Sequence, residues 1–592
     1  FKDVRKEWTV TVDEYAPYWG DKQDYVSGRL KEVMESDVPK IAHNGKFDIK
    51  FFTKMGIKVN GYYLDTMLAH FLLDENLEGL HGLKDCSVMY TDMGKYDDPL
   101  DAWFKERRIK ESDRNYAHLP TEMLYKYACM DTDCTLRLAN LFEPQLAEEQ
   151  LEEIMNRLIM PLSETLMDAE YAGVLIDIDR TNKLGTALKD SIKTIEDKLI
   201  AMVGPMNFSS NDQLVELLFN KLKLPIIKMT EGKEPQPCTD ESVLNALKDQ
   251  HPVAALLLEH RGLEKLLGTY VEGLLERIDE RNYIHTEFRI HGAVTGRLAS
   301  RNPNLQNIPR FKKAKKGETL SIQYTFGNEI KNLFIPRPGY IFVEADYGQA
   351  EFRHWANYSQ DPDMLRDLAN GVDIHRQTAA ALWKIKPEEV TKEQRQAAKS
   401  IVFGLMFGMQ LKKLVRQLKE EENIDLTEAQ GQAVINDFFR RYPKAEMWLK
   451  AAINTVKKYK QIRNIFGRLR RLPGIDSSNN YIRYKSERQA TNSPIQGAAS
   501  DMNCNAANRL TRIFKEMGMD ARLCILVHDS MLFEIPADKG LECARIIHRE
   551  MIRPIEGVTA PMIAELKMGT SWGECKDIKP EDLVEVEQYE HK

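Results

Sequence analysis

Arg395, Lys399, Phe403 and Phe407 recur at every fourth residue. Four residues advance an α-helix by about 40° beyond a full turn, so on a helix the four side chains form a stripe roughly 120° wide. The stripe is cationic at its N-terminal end and aromatic at its C-terminal end. A nucleoside triphosphate has the matching layout: Arg and Lys would hold phosphates, and the rings would pack on sugar and base. An ordinary amphipathic helix with Phe403 and Phe407 in the core would carry the same pattern. Two aspartates offer a second chemistry. Asp346 closes the strand-like run Ile341–Ala345, and Asp529 sits between the apolar, β-prone runs Leu523–Val527 and Met531–Ile535. On adjacent strand ends the two could jointly hold two Mg²⁺ ions about 3.5–4 Å apart, which clamp the attacking and leaving oxygens of a displacement. Turn formation and capping are the commoner uses of Asp at such places.

The elements that must position these groups have local signatures. Thr391 with Gln394 forms a capping box, which predicts a helix from Thr391 to about Met409. The two runs around Asp529 predict a hairpin with the aspartate at its bend. The strand ending at Asp346 should lead into a helix through Trp355. Over the first 145 or so residues short apolar runs alternate with helical stretches. One strand-like run ends at Ile41-Ala42-His43-Asn44 and a helix follows over Lys46 to Met55, which predicts an α/β unit. From about 146 to 275 the pattern is helical, as in the amphipathic segment Leu151 to Ala172. Ser210, with Gln213 three residues on, is the expected N-cap of one of these helices. Glu231 to Pro237 reads as a loop or hairpin.

Bulk properties narrow the class. At 592 residues the chain is too long for one hydrophobic core, and 43% hydrophobic with 29% charged residues reads as globular and soluble. No apolar run approaches the roughly 18 residues of a membrane span, and no secretory leader stands at the start. The chain begins with Phe1, so a fragment or processed product is expected. The net charge of −7 argues weakly against a nucleic-acid partner, yet 83 basic residues nearly balance 90 acidic ones. Two basic clusters stand out, Lys312-Lys313-Ala314-Lys315-Lys316 and Arg468-Leu469-Arg470-Arg471. Eight scattered cysteines with no CxxC, and 13 histidines with no HxxxH pair, give no support to a zinc site or a disulfide framework.

Five segments in order resemble the bacterial DNA polymerase I family (family A). They are Thr295-Gly296-Arg297-Leu298-Ala299-Ser300 with Pro303 to Pro309, then Asp346 to Arg353, then the stripe from Arg395 to Gly408. Arg488 with Asn492 to Gly497 follows, and Val527-His528-Asp529 comes last. The resemblance implies that Asp346 and Asp529 hold two Mg²⁺ ions, for which Mn²⁺ can substitute, helped by the backbone carbonyl of Tyr347. Arg395 and Lys399 would bind the triphosphate, and Lys399 would protonate departing pyrophosphate, a step typically contributing ~10²–10⁴-fold. Phe403 would pack on the sugar and Phe407 on the template base. Glu351 would exclude a 2′-hydroxyl, Gln349 would line the nucleotide pocket, and His375 would contact phosphate. Arg297, Asn304, Gln306, Arg488, Asn492, Gln496 and His528 would line primer–template DNA, with amides reading the nearly sequence-independent minor-groove edge. The two basic clusters would meet phosphates. Two positions depart from the family: Ser530 stands where a second carboxylate is usual, and Phe407 replaces a tyrosine.

The first 145 residues resemble that family's RNase H-like 3′–5′ exonuclease domain. His43-Asn44-Gly45-Lys46-Phe47-Asp48 and Tyr127-Ala128-Cys129-Met130-Asp131 match its second and third motifs, and Asp65-Thr66 and Leu83-Lys84 sit where it has related pieces. Asp48 and Asp131 would bind metal and Tyr127 would orient water. The family's first motif, a DxE pair, is not visible, and it would fall before Phe1. Weak or absent proofreading is therefore expected, with no 5′-nuclease domain in this chain. The whole implies an α/β multidomain right hand: exonuclease-like domain 1–145, thumb 146–275, palm 276–356, fingers 357–480 and palm again 481–592. A closing fingers helix would screen base pairs before chemistry. A monomer acting on primer–template DNA and dNTPs, away from membranes, is expected, in the cytoplasm of a bacterial or phage-infected cell or in an organelle. The rivals are a single-subunit RNA polymerase, opposed by Glu351 and by the exonuclease-like domain, and a decayed DNA-binding scaffold, opposed by the intact Asp346, Asp529, Arg395 and Lys399.

Overall fold

The computed structural model describes residues 20–231, 234–308, 322–409, 411–422, 424 and 426–583. The cluster Lys312 to Lys316 and the adjacent acids Asp13 and Glu14 lie outside them. Among the described residues no helix is long and apolar enough to cross a membrane.

The N-terminal unit pairs β1 (Lys40–Ala42) parallel with β2 (Tyr62–Asp65). Helices α1 (Gly45–Lys54), α2 (Thr66–Leu73), α3 (Leu83–Tyr90) and the long α4 (Thr121–Glu148) pack around them. Asp65 explains why the β1–α1 turn holds its shape. Its carboxylate, 1% exposed, accepts from the backbone of Asn44 and Gly45, from the Tyr62 hydroxyl at 2.6 Å, and from Met67 and Leu68 as the cap of α2. Gly45 has no room for a Cβ against the Tyr62 ring and Ala42.

Next comes the segment read as amphipathic. It ends in α5 (Met160–Ala172), followed by β3 (Val174–Ile176) and the paired helices α6 (Ile178–Val203) and α7 (Pro252–Lys265). Gly173, at φ +65° with the His285 ring against it, makes the break between α5 and β3. Ser210 stands at the expected cap position, but its hydroxyl makes no cap bond. Gln213 folds back instead and accepts from the Asn207 backbone at 2.8 Å.

The centre is a five-stranded antiparallel sheet of β4 (Tyr340–Tyr347), β7 (Arg522–Val527), β8 (Ser530–Pro536), β9 (Ala564–Gly569) and β10 (Lys576–Asp577). Their order across the sheet is β7-β8-β4-β9-β10. Alternation assigns the two faces of β4. Val343, Ala345 and Tyr347 share a core with Leu510, Phe514, Ile547 and Met551 of α12 (Asn480–Glu516) and α13 (Gly540–Ile552). Phe342 packs on the other side, with Leu532, Ile525 and the apolar face of α6 and α7. Asp346 belongs to this second face, at its open end.

Helices α8 (Ala350–Ser359), α9 (Ile374–Trp383), α10 (Lys392–Met406) and α11 (Pro443–Tyr459) form a separate core around Trp355, Ile401, Phe438 and Tyr442. The hairpin β5 (Gln461–Arg463) and β6 (Leu469–Arg471) returns the chain to the N-terminal unit. Here one expectation fails. The cluster Arg468 to Arg471 does not present free charge to a phosphate backbone. Arg468, 7% exposed, binds Asp501 at 2.7 Å; Arg470 and Arg471 grip the buried Glu75 at 2.8 and 2.9 Å. Buried guanidinium groups require such partners.

Four histidines meet beside this junction. His70 Nδ1 and His81 Nδ1 lie 3.0 Å apart, His70 Nε2 faces the Tyr90 hydroxyl at 3.0 Å, His43 contacts Thr66 and His291 stands 6.2 Å from His81 ring to ring. Burial, with His81 adding, lowers His70 to about 4; burial, with Arg289 adding, lowers His291 to about 3. Asp74 opposes the shift at His70 and His81. These rings are neutral in the fold, whereas an unfolded His titrates near 6.5. The unfolded chain therefore takes up more protons as pH falls, so stability is held above about 6.5 and lost on the way down to about 4. We expect urea midpoints to drop across this window, with up to ~3 kcal/mol from His70 alone. His70→Asn should flatten the drop; an unchanged slope would contradict the assignment.

Candidate active sites and family membership

The hairpin brings the two aspartates together as expected. Val527 pairs with Ser530, so His528 and Asp529 form a two-residue turn, with His528 at φ +53°. The Asn503 side chain holds the His528 carbonyl at 3.0 Å, and the Tyr347 backbone N–H donates to the Asp529 carbonyl at 3.2 Å. Asp346 and the turn that carries Asp529 are thus tied by backbone bonds on neighbouring strand ends. Asp346 lies directly opposite Ser530 on one side and Glu565 on the other, so these three share a row on one sheet face. Glu565 was not visible as a neighbour from sequence, since 219 positions separate it from Asp346 and only register reveals it. Gln349, at φ +56°, starts α8. Glu351 on its first turn is 8% exposed and ion-paired with Arg297. Burial pushes the Glu351 carboxyl up to about 7, with Arg297 pulling it down and the charge of Asp529 pushing it up.

The donor set suits a hard cation. Mg²⁺ keeps several waters and takes one or two carboxylates plus substrate oxygens. Two aspartates and the Tyr347 carbonyl fit that demand, and Ser530 adds no charge.

Helix α10 opens with the capping box: Thr391 accepts from the Gln394 backbone at 3.2 Å and Gln394 from that of Thr391 at 2.9 Å. The predicted stripe is present. Lys399 Nζ lies 5.7 Å from the Phe403 ring centre, and the Phe403 and Phe407 rings are 5.9 Å apart. The helix ends at Met406, three residues short of expectation, so Phe407 caps it. His375 stacks on Phe403 at 6.1 Å and is 2% exposed; burial, then Arg395, lowers it to about 4. Arg395 is not free. Its Nε donates to Asp373 at 2.6 Å, a partner that sequence reading passed over although it lies in the segment Gly371–His375.

The DNA-lining candidates divide in two. On α12, Arg488 is exposed and Asn492 and Gln496 are half-buried, every fourth residue on one face, while the helix beneath is buried. Asn304 and Gln306 are engaged internally: Asn304 accepts from the Gln306 backbone at 3.1 Å and from Ser300 at 2.9 Å, and Gln306 donates to the Leu526 carbonyl at 3.0 Å. Gln306 thereby braces the strand that leads to Asp529.

In the N-terminal unit, Asp48 sits on the first turn of α1. Burial raises its carboxyl, with the charges of Asp65 and Asp131 adding, so the three acids converge. Asp131 accepts from Tyr96 at 2.6 Å and pairs with Lys84. That ammonium lies 4.1 and 4.3 Å from the Tyr96 and Tyr127 ring centres.

Comparison with known proteins agrees with this geometry. Residues 178–574 match the model of DNA polymerase family A, and residues 6–147 match that of a 3′–5′ exonuclease. DNA polymerase I of Borreliella burgdorferi is 33% identical over 556 residues, 93% of this chain and 58% of the relative. The DNA polymerase of Bacillus phage SP01 is 30% identical over 617 residues, 94% of this chain and 65% of the relative. The chain thus spans between about half and two thirds of the length of these relatives. The POL domain of Pol1 from M. smegmatis, solved with DNA primer-template and dNTP, superposes with a TM-score of 0.78 at 27% identity, covering 93% of this chain and 89% of that one. A family match over residues 178–574, more than half of the chain, settles membership: the chain belongs to DNA polymerase family A.

Proposed function

We propose that this chain is a DNA-dependent DNA polymerase that extends a primer from dNTPs. What supports the reading most is the meeting of Asp346 and Asp529 on neighbouring strand ends, together with a helix whose stripe runs from cation to ring. The primer 3′-hydroxyl attacks the α-phosphate and pyrophosphate leaves. Asp346, Asp529 and the Tyr347 carbonyl would hold two Mg²⁺ ions, which when bound would stabilise the charge that develops in the displacement. Arg395 and Lys399 hold the triphosphate, and the Lys399 ammonium donates a proton to the departing pyrophosphate. His375 contacts phosphate, Phe403 the sugar, Phe407 the template base and Gln349 the pocket beside them; Glu351, locked by Arg297, fills the place of a 2′-hydroxyl. Arg297, Arg488, Asn492, Gln496 and His528 line the duplex, with Asn304 and Gln306 behind them. In this reading residues 1–145 are the exonuclease-like domain, 146–275 the thumb, 276–356 and 481–592 the palm and 357–480 the fingers. The enzyme works as a monomer on primer–template DNA in a bacterial or phage-infected cytoplasm or an organelle. Primer extension on a recessed template with Mg²⁺ tests it. Extension with dNTPs and not with ribonucleotides supports the reading. Ribonucleotide incorporation would favour an RNA polymerase, and DNA binding without extension a decayed scaffold.

The exonuclease-type site, built on Asp48, Tyr127 and Asp131, is proposed to be weak or inactive in this chain. Lys84 occupies Asp131, so a metal would have to displace an ammonium to reach that carboxylate. A mismatched 3′ end incubated with Mg²⁺ and no dNTP should persist, with Asp131→Ala making no difference. Trimming that Asp131→Ala abolishes would show the site to be working.

A further inference from the structure

We propose that Asp373 is an anionic stand-in for the nucleotide's phosphates, released from Arg395 when a triphosphate enters and returned when pyrophosphate leaves. The inference rests on the polymerase reading of the α10 stripe and adds a residue that tunes its affinity.

Asp373 has two separate tasks. One oxygen accepts from the Arg376 backbone at 3.0 Å and caps α9; the other accepts from Arg395 Nε at 2.6 Å. The Arg395 bonds, together with the cap, hold the carboxyl below its ordinary value against burial, so it is ionised near neutrality. Both partners of the pair are about one third exposed, 36% for Arg395 and 32% for Asp373, so an anion from solvent can reach the pair. Two residues along the same helix, the buried His375 Nδ1 has no hydrogen-bond partner among the described residues, and its ring lies on Phe403. The carboxylate therefore sits on one of the two cations of the stripe that would hold a triphosphate, two residues before a ring nitrogen with bonding capacity to spare.

A guanidinium cannot keep its Nε bond to Asp373 and also offer that edge to a phosphate. An anion arriving at Arg395 meets a fixed negative charge a few ångströms away, which weakens ground-state binding of every polyphosphate alike. The same repulsion speeds departure of pyrophosphate. Between turnovers the pair gives Arg395 one defined partner.

Asp373→Asn separates the two tasks, because Asn caps a helix as well as Asp does but carries no charge. With primer–template bound, dissociation constants for a correct dNTP and for pyrophosphate should both fall roughly tenfold in the variant, with unchanged melting temperature. In an Arg395→Ala background the same substitution should change neither constant by more than about twofold, since the swap needs the guanidinium. Weaker or unchanged binding by Asp373→Asn would overturn the proposal, because Asp373 would then be a brace for Arg395. Equal tightening with and without Arg395 would also overturn it, reducing the effect to general charge. Failure of wild type to bind any dNTP, or an Arg395→Ala variant that binds it normally, would instead count against the polymerase reading beneath.

Discussion

Asp529→Ala should reduce single-turnover primer extension by about 10³-fold or more while leaving DNA binding within a few-fold of wild type. The loss follows from what the carboxylate supplies. Charge stabilisation by a bound metal ion is worth several kcal/mol in the transition state, and each ~1.4 kcal/mol is a factor of ten. Without Asp529, Asp346 would keep only Glu565 as a carboxylate in its row, because Ser530 on the other side has none to lend. The fold should survive the change. The bonds that set the turn are backbone ones, Tyr347 N–H to the Asp529 carbonyl and the Asn503 amide to the His528 carbonyl, and Ala keeps both. The positive φ lies at His528, not at Asp529. Rapid-quench measurement on one primer–template, with Mn²⁺ titration calorimetry beside it, separates lost chemistry from lost metal binding. A variant that still extends within tenfold of wild type would remove Asp529 from the centre of the mechanism.

The features read from sequence are those whose physics is local. A capping box spans four residues and the α10 stripe follows from helical pitch, so both stood in the structure as expected. The hairpin around Asp529 followed from two β-prone runs and a short gap. Long-range partners were not legible. Arg468 to Arg471 read as surface charge because nothing nearby in the chain announces Glu75 or Asp501. Gln306 looks like any polar loop residue until the strand Arg522–Val527 is laid beside it. Ser210 shows a further limit: the cap position was right, but its hydroxyl makes no cap bond and Gln213 reaches past it to the Asn207 N–H. Lys84 follows the same rule, since its bearing on the exonuclease-type site depends on Asp131, 47 positions away. Sequence patterns located the carboxylates and cations, while their competition with internal partners needed three dimensions.

Asp501→Asn should destabilise the chain by about 3–5 kcal/mol, the usual cost of stranding a buried charge. Asp501 is 1% exposed and receives three guanidinium contacts from Arg468, at 2.7, 3.0 and 3.0 Å. Asn464 adds a fourth at 2.6 Å and accepts in turn from the Arg468 backbone at 3.0 Å. The turn that carries Arg297 is seated on this knot. Gly296, at φ +83°, lies against the Arg468 side chain with no room for a Cβ, and Ser500 donates to its carbonyl at 3.1 Å. Loosening the knot should therefore release Arg297 from Glu351 and relax discrimination against ribonucleotides as well as lower the urea midpoint. The double variant Arg468→Met/Asp501→Leu should recover much of the stability, because replacing both charges removes the stranded guanidinium. It should not recover discrimination, since nothing then braces the turn. A single variant that loses less than ~1 kcal/mol would mean that the pair is solvated in solution. A double variant as selective as wild type would mean that Arg297 holds Glu351 without support from beneath.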